Sequence, residues 1–164
     1  MNYVAAAHPQ AERTLIDSFD EEFARLHARA CRLINTTPDK ILYRDPNTTM
    51  GEATFPSIGA CALRSAGAVE QTFGGITSNL WDDPFEWTLP ETLSSCALII
   101  EYLTEVEKTR KHAFGCFVGD ADLLKKIATP SGEMQTLIDL LQNTLARARV
   151  YQERATAVHA MLSK

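Results

Sequence analysis

Glycine, proline and histidine are sparse in this chain, and long apolar runs are missing. The 164 residues include only 8 Gly, 7 Pro and 4 His, while 45% are hydrophobic and 23% are charged. This composition excludes the collagen-like, low-complexity and disordered classes. Because a helix that spans a bilayer needs about 20 apolar residues in a row, the short runs such as 96–100 predict no membrane span. We expect one folded domain over residues 1–164.

The first residues do not resemble a signal peptide, and the net charge is not positive. Residues 1–9 show no basic start followed by an apolar run, so we expect a cytoplasmic protein. The 16 Lys and Arg residues against 21 Asp and Glu give a net charge of -5. Nucleic-acid binding requires a clustered positive surface, whereas Arg147, Arg149 and Arg154 lie on the last predicted helix, where cations complement the helix dipole. We therefore predict no nucleic-acid partner.

The cysteines form no C-x-x-C pair. They are spread along the chain at Cys31, Cys61, Cys96 and Cys116. An isolated cysteine commonly behaves as a small apolar residue. We predict that all four are reduced thiols in the core of the protein.

Four segments repeat apolar residues at helical spacing. The predicted helices cover about 10–35, 57–81, 88–114 and 131–162. Ser57 can cap the second helix directly after Pro56. Thr88-Leu89-Pro90-Glu91 has the spacing of a capping box, with a proline that only a first turn tolerates, and it predicts the start of the third helix.

The connections between the helices contain no convincing strand. The stretch 38–55 is predicted to be a long surface loop, and Trp81 and Trp87 are predicted to cover one end of the bundle. Each amphipathic helix has to bury its apolar face against another helix. The sequence therefore predicts an all-α, antiparallel four-helix bundle, with two connections long enough for a crossover.

The order of several short motifs resembles the DinB-like family of four-helix bundles. These motifs are Ile41-Leu42-Tyr43-Arg44-Asp45-Pro46, Ser57-Ile58 and Gly132-Glu133, and the similarity spans nearly the whole chain. The resemblance implies an up-up-down-down bundle with a longer crossover connection, frequently a homodimer. In several branches it also implies a divalent metal held by one histidine on the second helix and two on the last. Some metal-bearing relatives transfer or isomerise substrates with low-molecular-weight thiols.

The positions of those histidines hold other residues here. Matching the motifs places the second-helix position at Arg64, or at Ser65 if the register slips by one, and the last-helix positions at Asn143 and Arg147. Asn143 and Arg147 share one helix face, but an arginine has no lone pair to give a metal. We therefore predict a degenerate metal site without a metal cofactor.

One hypothesis is that the former metal cleft binds a small anion. Arg64 and Arg147 would bind its carboxylate or phosphate group, with Asn143 as a neutral partner. The alternative is that both arginines point to solvent or pair with Glu70 and Asp139.

Two other hypotheses concern the whole protein. It could be a metal- or thiol-dependent transferase or hydrolase whose catalytic histidine has moved next to a carboxylate. The candidate groups are His27, His112, His159, Glu70 and Glu107. It could also be a structural or partner-binding homodimer without catalysis. At this stage we expect a DinB-like homodimer of unknown biochemical role, with its status as an enzyme open.

Overall fold

Four long helices form a bundle, and short elements connect them. The structure is a computed structural model that describes residues 11–46, 49–50, 53–54, 56–82 and 92–163. The helices are α1 (Thr14–Asn35), α2 (Asp39–Leu42), α3 (Ile58–Ser78), α4 (Cys96–Cys116) and α5 (Leu137–Leu162). Strand β1 (Thr49–Met50) pairs with β2 (Ala53–Thr54), β3 (Lys126–Ala128) pairs with β4 (Met134–Thr136), and Asp120–Leu124 forms a 3₁₀ turn. The predicted all-α bundle is confirmed.

Side-chain hydroxyls fix where three of the long helices begin. Ser57, Ser95 and Thr136 each accept a hydrogen bond from the backbone N–H three residues later, at 3.2–3.3 Å. These bonds satisfy amide groups that the first turn of a helix leaves unpaired. The Ser57 cap confirms the start predicted for the second helix.

The third helix differs from the prediction. The predicted capping box at Thr88 lies outside the described residues. Residues 92–95 are not helical, and α4 begins at Cys96 behind its own cap, Ser95. The prediction of one continuous helix over 88–114 is therefore wrong, because the helix begins at Cys96, directly after its cap at Ser95.

The last helix begins later than predicted because a hairpin precedes it. Residues 134–136 pair with 126–128 as antiparallel strands. Gly132 turns the chain back between them with a φ of 80°, in the region that glycine enters without strain. The predicted start at Ser131 is wrong, as is the expectation that the chain contains no strand.

The first connection is only partly a surface loop. Ile41 and Leu42 on α2 are buried in the core. The ring of Tyr43 lies where a side chain on Gly59 would be, with its Cε1 atom 2.4 Å from an ideal Cβ position. The connection therefore docks on the start of α3 through close packing.

Contacts at both ends of α1 and α4 show that these two helices are antiparallel. Arg13, just before α1, donates to the backbone carbonyl of Phe117, just after α4. At the other end, the thiol of Cys96 donates to the carbonyl of Thr37, just after α1, at 3.1 Å.

Helix α5 runs parallel to α1. Arg149 pairs with Glu22, and Glu153, further along α5, pairs with Arg29, further along α1.

Helix α3 runs antiparallel to α5. Ser65 donates to the carbonyl of Ala148 at 3.0 Å, whereas Thr72, later on α3, meets Thr144, earlier on α5, at 2.7 Å. The long helices therefore run up, down, down and up. The predicted up-up-down-down order is wrong, because the order is decided by which helix faces pack together. Since α3 and α4 run in the same direction, the end of α3 and the start of α4 lie at opposite ends of the bundle.

Aromatic rings occupy the centre of the core. Phe23 of α1, Phe73 of α3 and Phe114 of α4 have ring centroids 5.1–5.9 Å apart. Phe117 meets Phe114 edge-on at 5.7 Å. These contacts hold three helices together and place the polar groups described below around a rigid centre.

The cysteines lie in different environments. Cys61 is buried, Cys31 and Cys96 are half-buried, and Cys116 is exposed. All four are free thiols. The prediction of four core cysteines is correct only for Cys61, since α1 and α4 present the others at or near their surfaces.

Candidate functional site

Two of the three predicted site residues lie together in a cleft between α3, α5 and the β3–β4 hairpin. Asn143 and Arg147 line one wall, one helical turn apart on α5, and the cleft has a volume of about 310 Å³. The other walls come from Gln71, Thr72, Trp81 and the hairpin residues 129–131 and 135. We call this region the Arg147 cleft.

Arg64 is not part of this cleft. It is exposed on α3, one turn before Ala68, and does not belong to the residues that line the Arg147 cleft. Ser65, the position given by the alternative register, is buried and donates to the carbonyl of Ala148. The structure therefore brings Asn143 and Arg147 together and leaves Arg64 outside.

Helix α3 anchors the guanidinium group of Arg147 on one side. Its Nη2 atom donates to Oε1 of Gln71 at 3.2 Å and approaches the carbonyl of Ala68 at 3.5 Å. Gln71 in turn donates its Nε2 atom to the carbonyl of Trp81 at 3.0 Å. The amide of Gln71 is thereby held between Trp81 and Arg147. It orients the guanidinium group through the Nη2 atom.

No carboxylate of the described residues compensates the charge of Arg147. Within the described ranges, its Nε and Nη1 atoms make no hydrogen bond or ion pair, and no carboxylate lines the cleft. The pairing considered from the sequence with Glu70 or Asp139 is not seen at Arg147 in the described structure. Glu70 accepts a hydrogen bond from the hydroxyl of Tyr102 at 2.6 Å, and Asp139 accepts one from the hydroxyl of Thr136. A cleft with a single permanent cation attracts anions.

Trp81 forms a fixed aromatic wall of the Arg147 cleft. Its ring packs on Gly75, where an ideal Cβ would lie 2.4 Å from the Cε3 atom of the indole. Its Nε1–H donates to Oδ1 of Asn79, which adopts the left-handed conformation at the end of α3, at 3.2 Å. Trp87, the other predicted end cover, lies outside the described residues.

A second polar cluster lies between α1 and α4. Arg110 is 2% exposed, and its Nε and Nη2 atoms donate to the two carboxylate oxygens of Glu107 at 2.7 and 2.8 Å. Its Nη1 atom pairs with Asp20. Burial alone would raise the pKa of Glu107, but the hydrogen bonds and the charge of Arg110 outweigh it and lower that pKa.

Among the candidate histidines in the described structure, His27 is the one that lines the same cavity as a candidate carboxylate. It lines an internal cavity together with Glu107. Its Nε2 atom is 3.5 Å from the Sγ atom of Cys31. Burial lowers the pKa of His27, against the raising effect of Glu107, and favours a neutral imidazole. Burial and the charge of Glu107 raise the pKa of Cys31, which favours the protonated thiol.

Sequence reasoning missed the pair of His27 and Cys31. The signal was present, since four residues separate them on one predicted helix and such residues share a face. The sequence patterns sought for a site were histidine–histidine and histidine–carboxylate pairs, whereas each cysteine was interpreted as an isolated core residue.

The other candidate histidines lie elsewhere. His159 contacts the carbonyl of Thr36 at 3.4 Å. His112 lines a separate cleft of about 370 Å³ with the exposed Cys116. Neither histidine makes a hydrogen bond or ion pair with a carboxylate of the described residues.

The described residues show neither a metal-binding cluster nor a membrane-spanning helix. In the part of the chain that the structure describes, no three His, Cys, Asp or Glu side chains converge into a set that could hold a metal ion. No described helix is both long and apolar enough to cross a bilayer.

Comparisons with protein-family models, curated proteins and solved structures gave no match to this chain.

Proposed function

We propose that this protein binds a small anionic molecule in the Arg147 cleft. The observation that carries the proposal is the guanidinium of Arg147, which Gln71 and Ala68 anchor at one nitrogen only. Its other two nitrogens have no partner in the described residues. A guanidinium that is oriented in advance and still has donors to offer is suited to a carboxylate or phosphate group.

The size and walls of the Arg147 cleft indicate what else the ligand contains. A volume of about 310 Å³ lies at the lower end of the roughly 300–1,000 Å³ typical of ligand pockets. Asn143, Gln135 and Ser131 offer side-chain donors, while Trp81 and Leu140 offer apolar surface. These walls favour a compact ligand with one anionic group and a small apolar body.

Calorimetric titration with three probes tests the proposal. Inorganic phosphate, phenyl phosphate and benzoate would each be titrated into the wild type and into Arg147→Gln and Arg149→Gln variants. Arg149 is the matched control, because it lies on the same helix but pairs with Glu22 away from the cleft. We expect an anion to bind the wild type and Arg149→Gln, with at least a tenfold loss in Arg147→Gln. Equal affinities in all three proteins, or no binding of any probe to the wild type, would contradict the proposal.

A thiol- or metal-dependent enzyme is the second candidate. The contact between His27 and Cys31 beside Glu107 favours it, since an imidazole near a thiol can act as a base. The raised pKa of Cys31 argues for an unreactive, protonated thiol, and Arg110 already occupies both oxygens of Glu107. We therefore place the Arg147 cleft first.

Membership of the DinB-like family, a cytoplasmic location and a homodimer stay predictions. The four-helix architecture and the order of the motifs support the family proposal, while the helix directions differ from those that the resemblance implied. Sedimentation equilibrium at micromolar concentration tests the homodimer. A mass of twice the 18.2 kDa of the chain is expected, and the mass of a single chain would contradict it.

A further inference from the structure

One amide oxygen is buried without a partner inside the bundle. Gln152 of α5 is 4% exposed, and its Nε2 atom donates to the carbonyl of Leu26 on α1 at 2.6 Å. Because a carbonyl can only accept, this bond fixes which end of the amide is the oxygen. That oxygen, Oε1, is the buried side-chain acceptor that has no partner among the described residues. A buried acceptor without a hydrogen bond destabilises the folded protein. The unpartnered oxygen of Gln152 therefore indicates that a hydrogen-bond donor binds beside it.

A cavity lies beside Gln152 where all four long helices meet. The cavity has a volume of about 30 Å³, which is enough for about two water molecules. Its polar lining comes from Gln152, Ser65, His27, Glu107 and Arg110, and the other lining residues are apolar. Ser65 already donates its proton to the carbonyl of Ala148, so its oxygen can still accept a hydrogen bond.

We propose that this cavity is a binding site for a small neutral hydrogen-bond donor of one or two heavy atoms, and that water occupies it. The unpartnered oxygen of Gln152 requires a donor. An anion would face that oxygen and the carboxylate of Glu107, while a cation would face the guanidinium of Arg110. A neutral molecule meets neither repulsion, and it can also bond to Ser65 and His27, which gives the two to four partners that a buried water usually has.

Such a molecule links the amide of α5 to the polar cluster between α1 and α4. It gives the imidazole of His27 a partner that can either donate or accept a proton. The cavity is too small for the ligand proposed for the Arg147 cleft, so the two sites are independent. Failure of one proposal leaves the other untouched.

Crystallography with xenon tests the proposal. We expect wild-type crystals to show density for a bound water within hydrogen-bond distance of Oε1 of Gln152, and crystals pressurised with xenon to show no xenon there, because xenon enters dry apolar cavities. In Gln152→Met the water should be lost and xenon should enter. The matched control is Gln142→Met, at an exposed position of the same helix, which should keep the water.

Three results would overturn the proposal. They are an empty cavity in the wild type, xenon bound in the wild type, or an unchanged water in Gln152→Met. The two wild-type measurements do not depend on whether the variant folds. They therefore decide the question on their own.

Discussion

Arg110 and Glu107 form a bidentate ion pair within one turn of α4, with N–O distances of 2.7 and 2.8 Å. Arg110 is 2% exposed and also pairs with Asp20 on α1. The charges therefore lie inside the bundle and link two antiparallel helices. A buried charge that loses its partner is far more costly than an exposed one.

Replacement of Arg110 tests this linkage. Arg110→Met removes the cation that pairs with Asp20 and with both oxygens of Glu107, and it leaves Glu107 with the exposed Lys111 at 3.6 Å. We expect the free energy of unfolding to fall by about 3–5 kcal/mol. Lys108→Met is the control, because Lys108 makes an exposed ion pair with Glu105 at 2.6 Å and should cost less than about 1 kcal/mol. Urea unfolding measures both values. Similar losses in the two variants would show that the buried pair is not structurally important.

Acidification should destabilise the protein in two stages. The folded pKa of His27 is lowered from 6.5 by burial, so the unfolded chain binds more protons there and stability falls as the pH drops below about 6.5. The folded pKa of Glu107 is lowered from 4.5, so its contribution is present above that value and is lost as the pH falls further. In urea midpoints measured against pH, His27→Gln should flatten the first stage and leave the second.

The control for the pH experiment is His112→Gln, which changes an exposed histidine. It should keep the first stage of the wild-type profile. If His27→Gln keeps that stage as well, the loss of stability near neutral pH does not come from His27.

The four thiols should react with iodoacetamide at different rates. Cys116 is exposed and should be labelled first. Burial raises the pKa of Cys61 to about 11, and burial with Asp39 raises the pKa of Cys96 to about 12, so both should be labelled mainly after unfolding. Peptide mass spectrometry resolves the sites. If Cys31 reacts faster than Cys116, the thiol-dependent enzyme becomes the better proposal.

A side chain at Gly59 should destabilise the folded protein. In Gly59→Ala the new Cβ would lie 2.4 Å from the ring of Tyr43, and we expect a loss of about 1–3 kcal/mol from overpacking. Gly115→Ala is the matched control, because a Cβ there has no neighbour within 4 Å. It should be neutral or stabilising by up to about 1 kcal/mol, since alanine favours a helix more than glycine does. Thermal unfolding of both variants compares them, and equal effects would contradict the close contact.

The local signals in the sequence were sufficient to predict the four long helices. Apolar spacing predicted all four, and the cap at Ser57 was located correctly, because both signals involve residues within a few positions of each other. The break before Cys96 and the hairpin around Gly132 were missed. The predicted starts rested on the capping-box spacing at Thr88 and on Ser131-Gly132-Glu133, and such short motifs do not reveal a non-helical segment or a strand that follows them.

The candidate site, like the helices, could be predicted from the sequence only in part. A spacing of four residues is enough to place Asn143 and Arg147 on one face of a helix, so this part of the site could be predicted from the chain alone. Three features came from the packed structure: Gln71, 76 positions away, anchors Arg147, Arg64 lies outside the cleft, and His27 lines a cavity together with Glu107. Such contacts depend on which helix faces pack together and in which direction the helices run, and these follow from the joint packing of all four helices.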